Sequence, residues 1–263
     1  MNEEDARPSP LRVDRRELLE TFAGVVLLSA LSATPVWAQG RPADITAWAR
    51  DLVGLKEDLR TGRIDVLAWQ VEVERLNGQV PVHELTTYLD VDALTRGFDY
   101  DSNLAEIANP VLPTDLVGDS GMSGWFIRVF AMRRGGAIIP HVHNNMVSAH
   151  LVISGGFHAR THDRVRDVEG AVLLSPTQDG VIGIGDVISM SDRRNNQHWL
   201  IAQHDRSMTF DVGIVGLPSS WAYGHAANSY NMIFVDPTAP PERDGTIVAP
   251  ILNFDQARTK FAP

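Results

Sequence analysis

Along residues 43–60 the apolar positions Ile45, Trp48, Leu52, Leu55 and Leu59 recur at alternating steps of three and four, which predicts an amphipathic helix. A second helix is expected behind Asp65, whose carboxylate suits the exposed N–H groups of a first turn, and it would bury Val66, Trp69, Val73 and Leu76. Ile64 and Trp69 flank that cap at hydrophobic-staple spacing, and Gly78 is expected to end the helix in the left-handed conformation. Shorter helices are predicted over 82–89 and, behind Asp90, over 91–96, with Gly97 as the stop. Residues 98–124 are polar, broken by Pro and Gly, and read as a loop. From Trp125 the period changes to that of strands, with segments at 125–132, 137–143, 146–154, 157–162, 171–174, 181–190, 199–203 and 208–215 separated by Gly and Asp turns. Short strands at such spacing predict an all-β closed or double-sheet barrel with a helical N-terminal extension. The chain from Asn231 onward is Pro-rich and is expected to wrap the surface.

Composition narrows the function classes. The net charge of −10 argues against nucleic acid and anionic membranes as partners. The absence of cysteine removes disulfides, thiolate metal sites and thiol nucleophiles together, so any metal must be held by His, Asp or Glu. Near the N-terminus, Arg15-Arg16 precedes an apolar run from Phe22 to Ala33 and then Val36-Trp37-Ala38, a pattern that predicts a twin-arginine export signal. The run is shorter than the roughly 20 residues that span a bilayer, so no stable membrane insertion is expected. Cleavage near Ala38 would send the folded protein to the periplasm through the twin-arginine machinery, and loss of six acidic and four basic residues would leave a net charge of −8. The expected organisation is thus a signal peptide over 1–38, a helical segment over 41–98, a linker over 99–124, a barrel over 125–220 and a C-terminal extension over 221–263 packing on the barrel. The helical segment offers packing against the barrel or a contact with a second copy, as in a homodimer.

The chemistry lies in the histidines. His141 and His143 are spaced i, i+2, which on a strand places both on one face, and His198 arrives from a later strand. Three imidazoles from two strands would close one face of a divalent metal. His150 shares a strand face with Ser148 and reads as a fourth ligand, an acid/base beside the metal, or a core histidine. His158, Arg160 and His162 alternate on the next strand, where Arg160 could clamp a substrate carboxylate from a cavity-lining face, or the three could form a solvated outer face.

The order Gly135-x5-His141-x-His143, then Gly155, resembles the first motif of the cupin superfamily, and Gly185-Asp186 through His198-Trp199 resembles the second. Where the first motif carries a glutamate, seven residues before its closing glycine, this chain has Ser148. A three-histidine set without that glutamate resembles the thiol dioxygenases. Ile139-Pro140-His141-Val142-His143-Asn144-Asn145-Met146 and Asn195-Asn196-Gln197-His198, with Phe210-Asp211-Val212 leading to Leu217-Pro218, are similar to the cysteamine dioxygenase and plant cysteine oxidase group. The likeness covers roughly residues 125–220. That group usually has a tyrosine near the position of Leu217; Tyr223 and Tyr230 are the nearby substitutes.

The resemblance implies His141, His143 and His198 as ligands of iron(II), with manganese, nickel and zinc as alternatives, and a small-molecule substrate and dioxygen as partners. Asp211 and His150 are the expected catalytic groups, Ser148 and Arg160 the expected substrate contacts. Asp211, Asn145 and Gln197 are expected to hold the outer nitrogens of the ligand rings. The implied activity is that of a non-haem iron dioxygenase acting on a small, possibly thiol, substrate. Another metal-dependent cupin enzyme (isomerase, decarboxylase or ring-cleaving dioxygenase) and a non-catalytic metal- or ligand-binding cupin are the competing readings.

Overall fold

The computed structural model describes residues 44–112, 124–218 and 221–262; the export signal expected over 1–38 lies outside the described residues. Helix α1 (Ile45–Arg60) starts at Asp44, whose Oδ1 accepts from the Ala47 N–H at 2.7 Å. Helix α2 (Val66–Gln79) starts in the same way at Asp65, which accepts from Ala68 N–H at 2.8 Å. The two helices bury Trp48 and Trp69 completely. Helix α2 runs through Gly78 instead of ending there, and Val80 is its extended C-cap. The physical stop is Pro81, whose ring excludes the helical conformation from the residue before it. Helix α3 (Val82–Tyr88) and the single turn α4 (Val91–Leu94) follow, the latter ending at Thr95 and not at Gly97.

Two antiparallel sheets form the body. One has five strands in the order β1 (Glu106–Ala108), β2 (Trp125–Met132), β9 (Ser207–Val215), β4 (Met146–Ser154), β7 (Val187–Met190). The other closes on itself in the order β10 (Ile233–Val235), β11 (Ile247–Leu252), β6 (Ala171–Gly183), β5 (Gly156–Val168), β8 (Gln197–Ala202), β3 (Ala137–Val142). This is an all-β architecture with a closed barrel and an N-terminal helical layer, as the strand and helix periods of the sequence predict. Met132, Val152 and Ile188 of the first sheet meet Phe157, Leu200 and Ala202 of the second in a shared core. The opposite face of the five-stranded sheet carries the helices: the Trp48 and Phe210 rings lie 5.6 Å apart. A polar seam fixes α2 to β7, with Gln70 Nε2 donating to Ser189 Oγ at 3.0 Å and Ser191 Oγ donating to Gln70 Oε1 at 2.6 Å.

Two parts of the sequence reading need correction. The loop expected over 98–124 contains β1, which pairs with β2 through Ile107 and Phe130. The C-terminal stretch is part of the barrel and not a wrapping extension. β10 lies between β3 and β11, and β11 pairs with β6, so the ring closes only through residues 233–252. Ile233, Val235, Ile247 and Ala249 are buried there against Val142, Val172 and Leu174. Helix α5 (Phe254–Phe261) comes next, opened by a capping box of Asn253 and Gln256.

Gly155 between β4 and β5 is required by its surroundings: its φ is +64°, and a Cβ there would meet Ser207 Oγ at 2.4 Å. Ser207 Oγ shares its one proton between the Gly156 and His204 carbonyls, at 3.0 and 2.8 Å, so this turn ties β5 to the start of β9.

Candidate metal centre

Strand parity sets which side chains enter the barrel. In β4, Ser148 and His150 point inward while Val147, Ala149 and Leu151 are fully buried on the helical side. In β9, Asp211 points inward and Phe210 outward. In β8, His198 pairs in register with Thr161, and Trp199 with Arg160 on the opposite face. β3 carries a bulge between Ile138 and His141, around Pro140. A bulge tolerates the missing N–H of proline and re-aims the residues beyond it, so Ile138 and His141 both face the interior although they are three positions apart. His143, just past the end of β3, reaches the same cavity.

His141, His143 and His198 converge: one ring nitrogen of each lies within 4.8 Å of the others, and all three are buried. Ring centroids are 4.1 Å apart for His141 and His198, 4.6 Å for His141 and His143, and 5.4 Å for His143 and His198. The hydrogen bonds fix their tautomers. His141 Nδ1 donates to the Ile139 carbonyl at 2.7 Å, His198 Nδ1 faces the Asn196 carbonyl at 3.4 Å, and His143 Nδ1 donates to the Asn231 carbonyl. A carbonyl only accepts, so the proton belongs on Nδ1 and Nε2 is left with a bare lone pair. The Nε2 atoms of His141 and His143 then face each other at 3.0 Å, an arrangement that calls for a cation between them. Burial holds His141 at a pKa of about 4 and pushes those of His143 and His198 well below the ordinary imidazole value. Neutral imidazoles with free, converging Nε2 lone pairs are what a divalent transition metal requires. The residues present therefore fit a bound metal ion.

The expected partners of the outer nitrogens are corrected by these contacts. Backbone carbonyls fill that role, not Asp211, Asn145 or Gln197. Gln197 lies on the outward face of β8 and holds His162 Nδ1, and the Asn145 N–H donates to Tyr223 Oη at 2.7 Å. Asp211 sits beside His150, its direct cross-strand neighbour. His150 Nδ1 and Asp211 Oδ2 approach within ion-pair reach, but without hydrogen-bond alignment, so both polar ends remain unsatisfied in a buried setting. The His150 ring lies 5.3 Å from that of His198. Ser148 borders the same cavity, its hydroxyl close to Met190 Sδ.

Arg160 does not reach this site. Its guanidinium stacks on Trp199 at 4.7 Å and pairs with Asp179, which also holds His158, on the outer face of β5. The parity of β5 explains this: Phe157 and Ala159 occupy the inward positions. The tyrosines separate as well. Tyr230 lines the cavity mouth, whereas Tyr223 ties down Asn145, and burial and Asp192 push its phenol well above the ordinary value.

Two features escaped the sequence reading. Arg128 of β2 faces the cavity. Arg164 is buried behind His143, where its Nη1 donates to the His143 carbonyl at 3.1 Å and to Asn144 Oδ1 at 2.8 Å, while Asp167 grips its other edge at 2.8 and 2.6 Å. Asn196 completes this support, donating to the His143 carbonyl at 3.1 Å. The alternation of Arg128 with Ile127 and Val129 in β2 was a signal for the first; nothing local marks Arg164.

The whole cavity has a volume of about 330 Å³, with Phe126, Phe130, Met146 and Met232 as its apolar wall. That is room for a small molecule.

No family model and no curated protein matches this sequence. Among solved structures, the chain is similar to KdgF from Halomonas sp., at 14% identity over 42% of this chain and 77% of that one, with a TM-score of 0.29. It is also similar to a cupin superfamily protein from Desulfitobacterium hafniense (11% identity, 46% and 87% covered, TM-score 0.30). A predicted oxalate decarboxylase from Thermotoga maritima matches at 13% identity, with 42% and 80% covered and a TM-score of 0.31.

Proposed function

We propose that this protein is a metal-dependent cupin enzyme, a non-haem iron(II) dioxygenase of the thiol-dioxygenase type. The observation that carries the reading is the convergence of three neutral imidazoles, each with its Nδ1 committed to a backbone carbonyl, with Ser148 at the lining position where the first cupin motif has its glutamate. His141, His143 and His198 would hold the ion. A bound iron(II) would supply Lewis acidity and a place for dioxygen beside an anionic donor of the substrate. With no carboxylate among the three ligands, the centre keeps its positive charge and favours such a donor.

The protein's own residues supply the rest. The apolar wall limits water at the reacting end. The His150–Asp211 pair lies within the cavity, its polar atoms free of other hydrogen bonds, and can hold a proton next to the reacting group. For a thiol, the overall change is R–SH + O₂ → R–SO₂H: both oxygen atoms enter the product, sulfur is oxidised and dioxygen reduced. The signal predicted over residues 1–38 supports a periplasmic location for this activity, after export of the folded protein.

The test is oxygen uptake by the iron-reconstituted protein across a panel of small thiols, with the sulfinate identified by mass spectrometry. Uptake with a sulfinate product supports the reading; iron binding without uptake on any thiol overturns the thiol assignment. The position of His150, 5.3 Å from the His198 ring, favours a second reading in which it is a fourth ligand of a different metal-dependent cupin enzyme. An iron-loaded protein with no turnover of any kind would instead be a binding cupin.

A further inference from the structure

His141 and His198 find their Nδ1 acceptors close at hand, in the carbonyls of Ile139 and Asn196, each two residues back in the chain. His143 does not. Its Nδ1 donates to the carbonyl of Asn231, 88 residues further on. The backbone of His143 is fixed from elsewhere: its N–H donates to Asn196 Oδ1 at 3.2 Å, and its carbonyl accepts from Arg164 and Asn196 at 3.1 Å each. The setting of the ring is thus left to the segment that leads into β10.

That segment is a built turn. Asn228 Oδ1 accepts from the N–H groups of Tyr230 and Met232 at 2.9 and 3.0 Å, and the Asn228 carbonyl accepts from the Asn231 N–H at 2.9 Å. Asn231 has a φ of +59°, a left-handed conformation that asparagine tolerates and a β-branched residue resists. Its side chain fastens the turn beside His143, with Nδ2 donating to the Asn144 carbonyl at 2.7 Å. Two residues on, Ile233 joins the ladder opposite Val142 of β3, which holds the end of the turn in register with the histidine strand. Ser229, Tyr230, Asn231 and Met232 also line the cavity.

We infer that Asn231 is a positioning residue of the metal centre: its left-handed backbone aims the carbonyl that holds the His143 ring with its proton on Nδ1 and its Nε2 turned toward the ion. The inference rests on the reading of the three histidines as the metal centre. It gives a part in metal binding to residues 228–232, which lie beyond the likeness over 125–220. It also joins a wall of the cavity to the seat of one ligand. An outer partner that orients a ligand ring is typically worth about 10- to 100-fold in metal affinity.

The test compares wild type, Asn231→Val and Asn231→Gly by calorimetric titration with cobalt(II) and by the visible spectrum of the bound cobalt. Asn231→Val, which resists the positive φ, should bind cobalt about 10- to 100-fold more weakly and with a shifted spectrum. Asn231→Gly keeps the carbonyl and adopts the positive φ freely, so it should recover most of the affinity and the wild-type spectrum. Proton–nitrogen NMR of the imidazoles in the metal-free wild-type protein should show the His143 proton on Nδ1, a measurement that needs no variant to fold. A proton on Nε2 there, wild-type affinity in Asn231→Val, or a loss in Asn231→Gly as large as in Asn231→Val would overturn the assignment. If the wild type takes up no cobalt while the Nδ1 proton is present and is lost in Asn231→Val, the positioning of His143 stands and the metal reading falls.

Discussion

Removing the Arg164 guanidinium should cost more than any other single change near the site. Arg164 and Asp167 are side chains almost closed to solvent, joined by two hydrogen bonds of 2.8 and 2.6 Å. Arg164 also serves the His143 carbonyl and Asn144 Oδ1, while Asp167 accepts from the Gly224 N–H at 2.7 Å. Arg164→Met keeps most of the volume but strands a buried carboxylate, a loss of about 3–5 kcal/mol. The double variant with Asp167→Leu removes the stranded charge and should recover much of that, because replacing a buried pair by apolar groups is often close to neutral. Urea unfolding of the metal-free protein at pH 7 measures both. The pH dependence provides a further check. The Asp167 carboxyl, despite the opposing effect of its burial, is held below the ordinary value by Arg164. Its stabilisation is therefore present above the unfolded carboxylate pKa, near 4, and is lost as the pH falls through the lower folded value. The gap between wild type and Arg164→Met should be full at pH 7 and narrow below about pH 4. A loss under about 1 kcal/mol at pH 7, or a double variant no more stable than the single one, would refute this reasoning.

Gly155→Ala should lose about 1–3 kcal/mol, because it places a side chain at a left-handed φ and against Ser207; thermal unfolding shows it. Gly213→Ala should tilt Phe126 out of its position and lower stability by about 1–3 kcal/mol; thermal unfolding shows it. Asp211→Asn should leave metal stoichiometry unchanged while slowing turnover by about 10²- to 10⁴-fold in an oxygen-uptake assay, if the His150–Asp211 pair handles the proton. A chain ending at residue 230 should fail to give a cooperative unfolding transition, since the strands that close the barrel lie beyond it.

Much of the site was legible because strand parity is a property of the sequence. The i, i+2 spacing of His141 and His143, with Gly135, Gly155 and His198 at set intervals, was enough to place three histidines in one cavity, and the same parity put Ser148 and His150 beside them. The failures have equally definite causes. Arg160 was read on an ambiguous strand, where only the pairing with β6 and β8 shows which face is the interior. Gln197 and Asn145 lie near the ligand histidines in sequence, but the ring nitrogens that need partners meet backbone carbonyls, which no sequence pattern displays. Residues 231–252 read as a tail because Pro237, Pro240 and Pro241 hide two short strands whose apolar positions matter only once the ring closes. Arg164 was invisible for the same reason: its partners at His143 and Asn144 lie about twenty residues away in the chain.

The central claim is that His141, His143 and His198 together bind one metal ion. It is tested most directly by elemental analysis of the protein reconstituted anaerobically with iron(II), wild type beside His141→Ala. The account predicts close to one iron per chain in the wild type and almost none in the variant. A wild-type protein without iron, or a variant that keeps it, would contradict it.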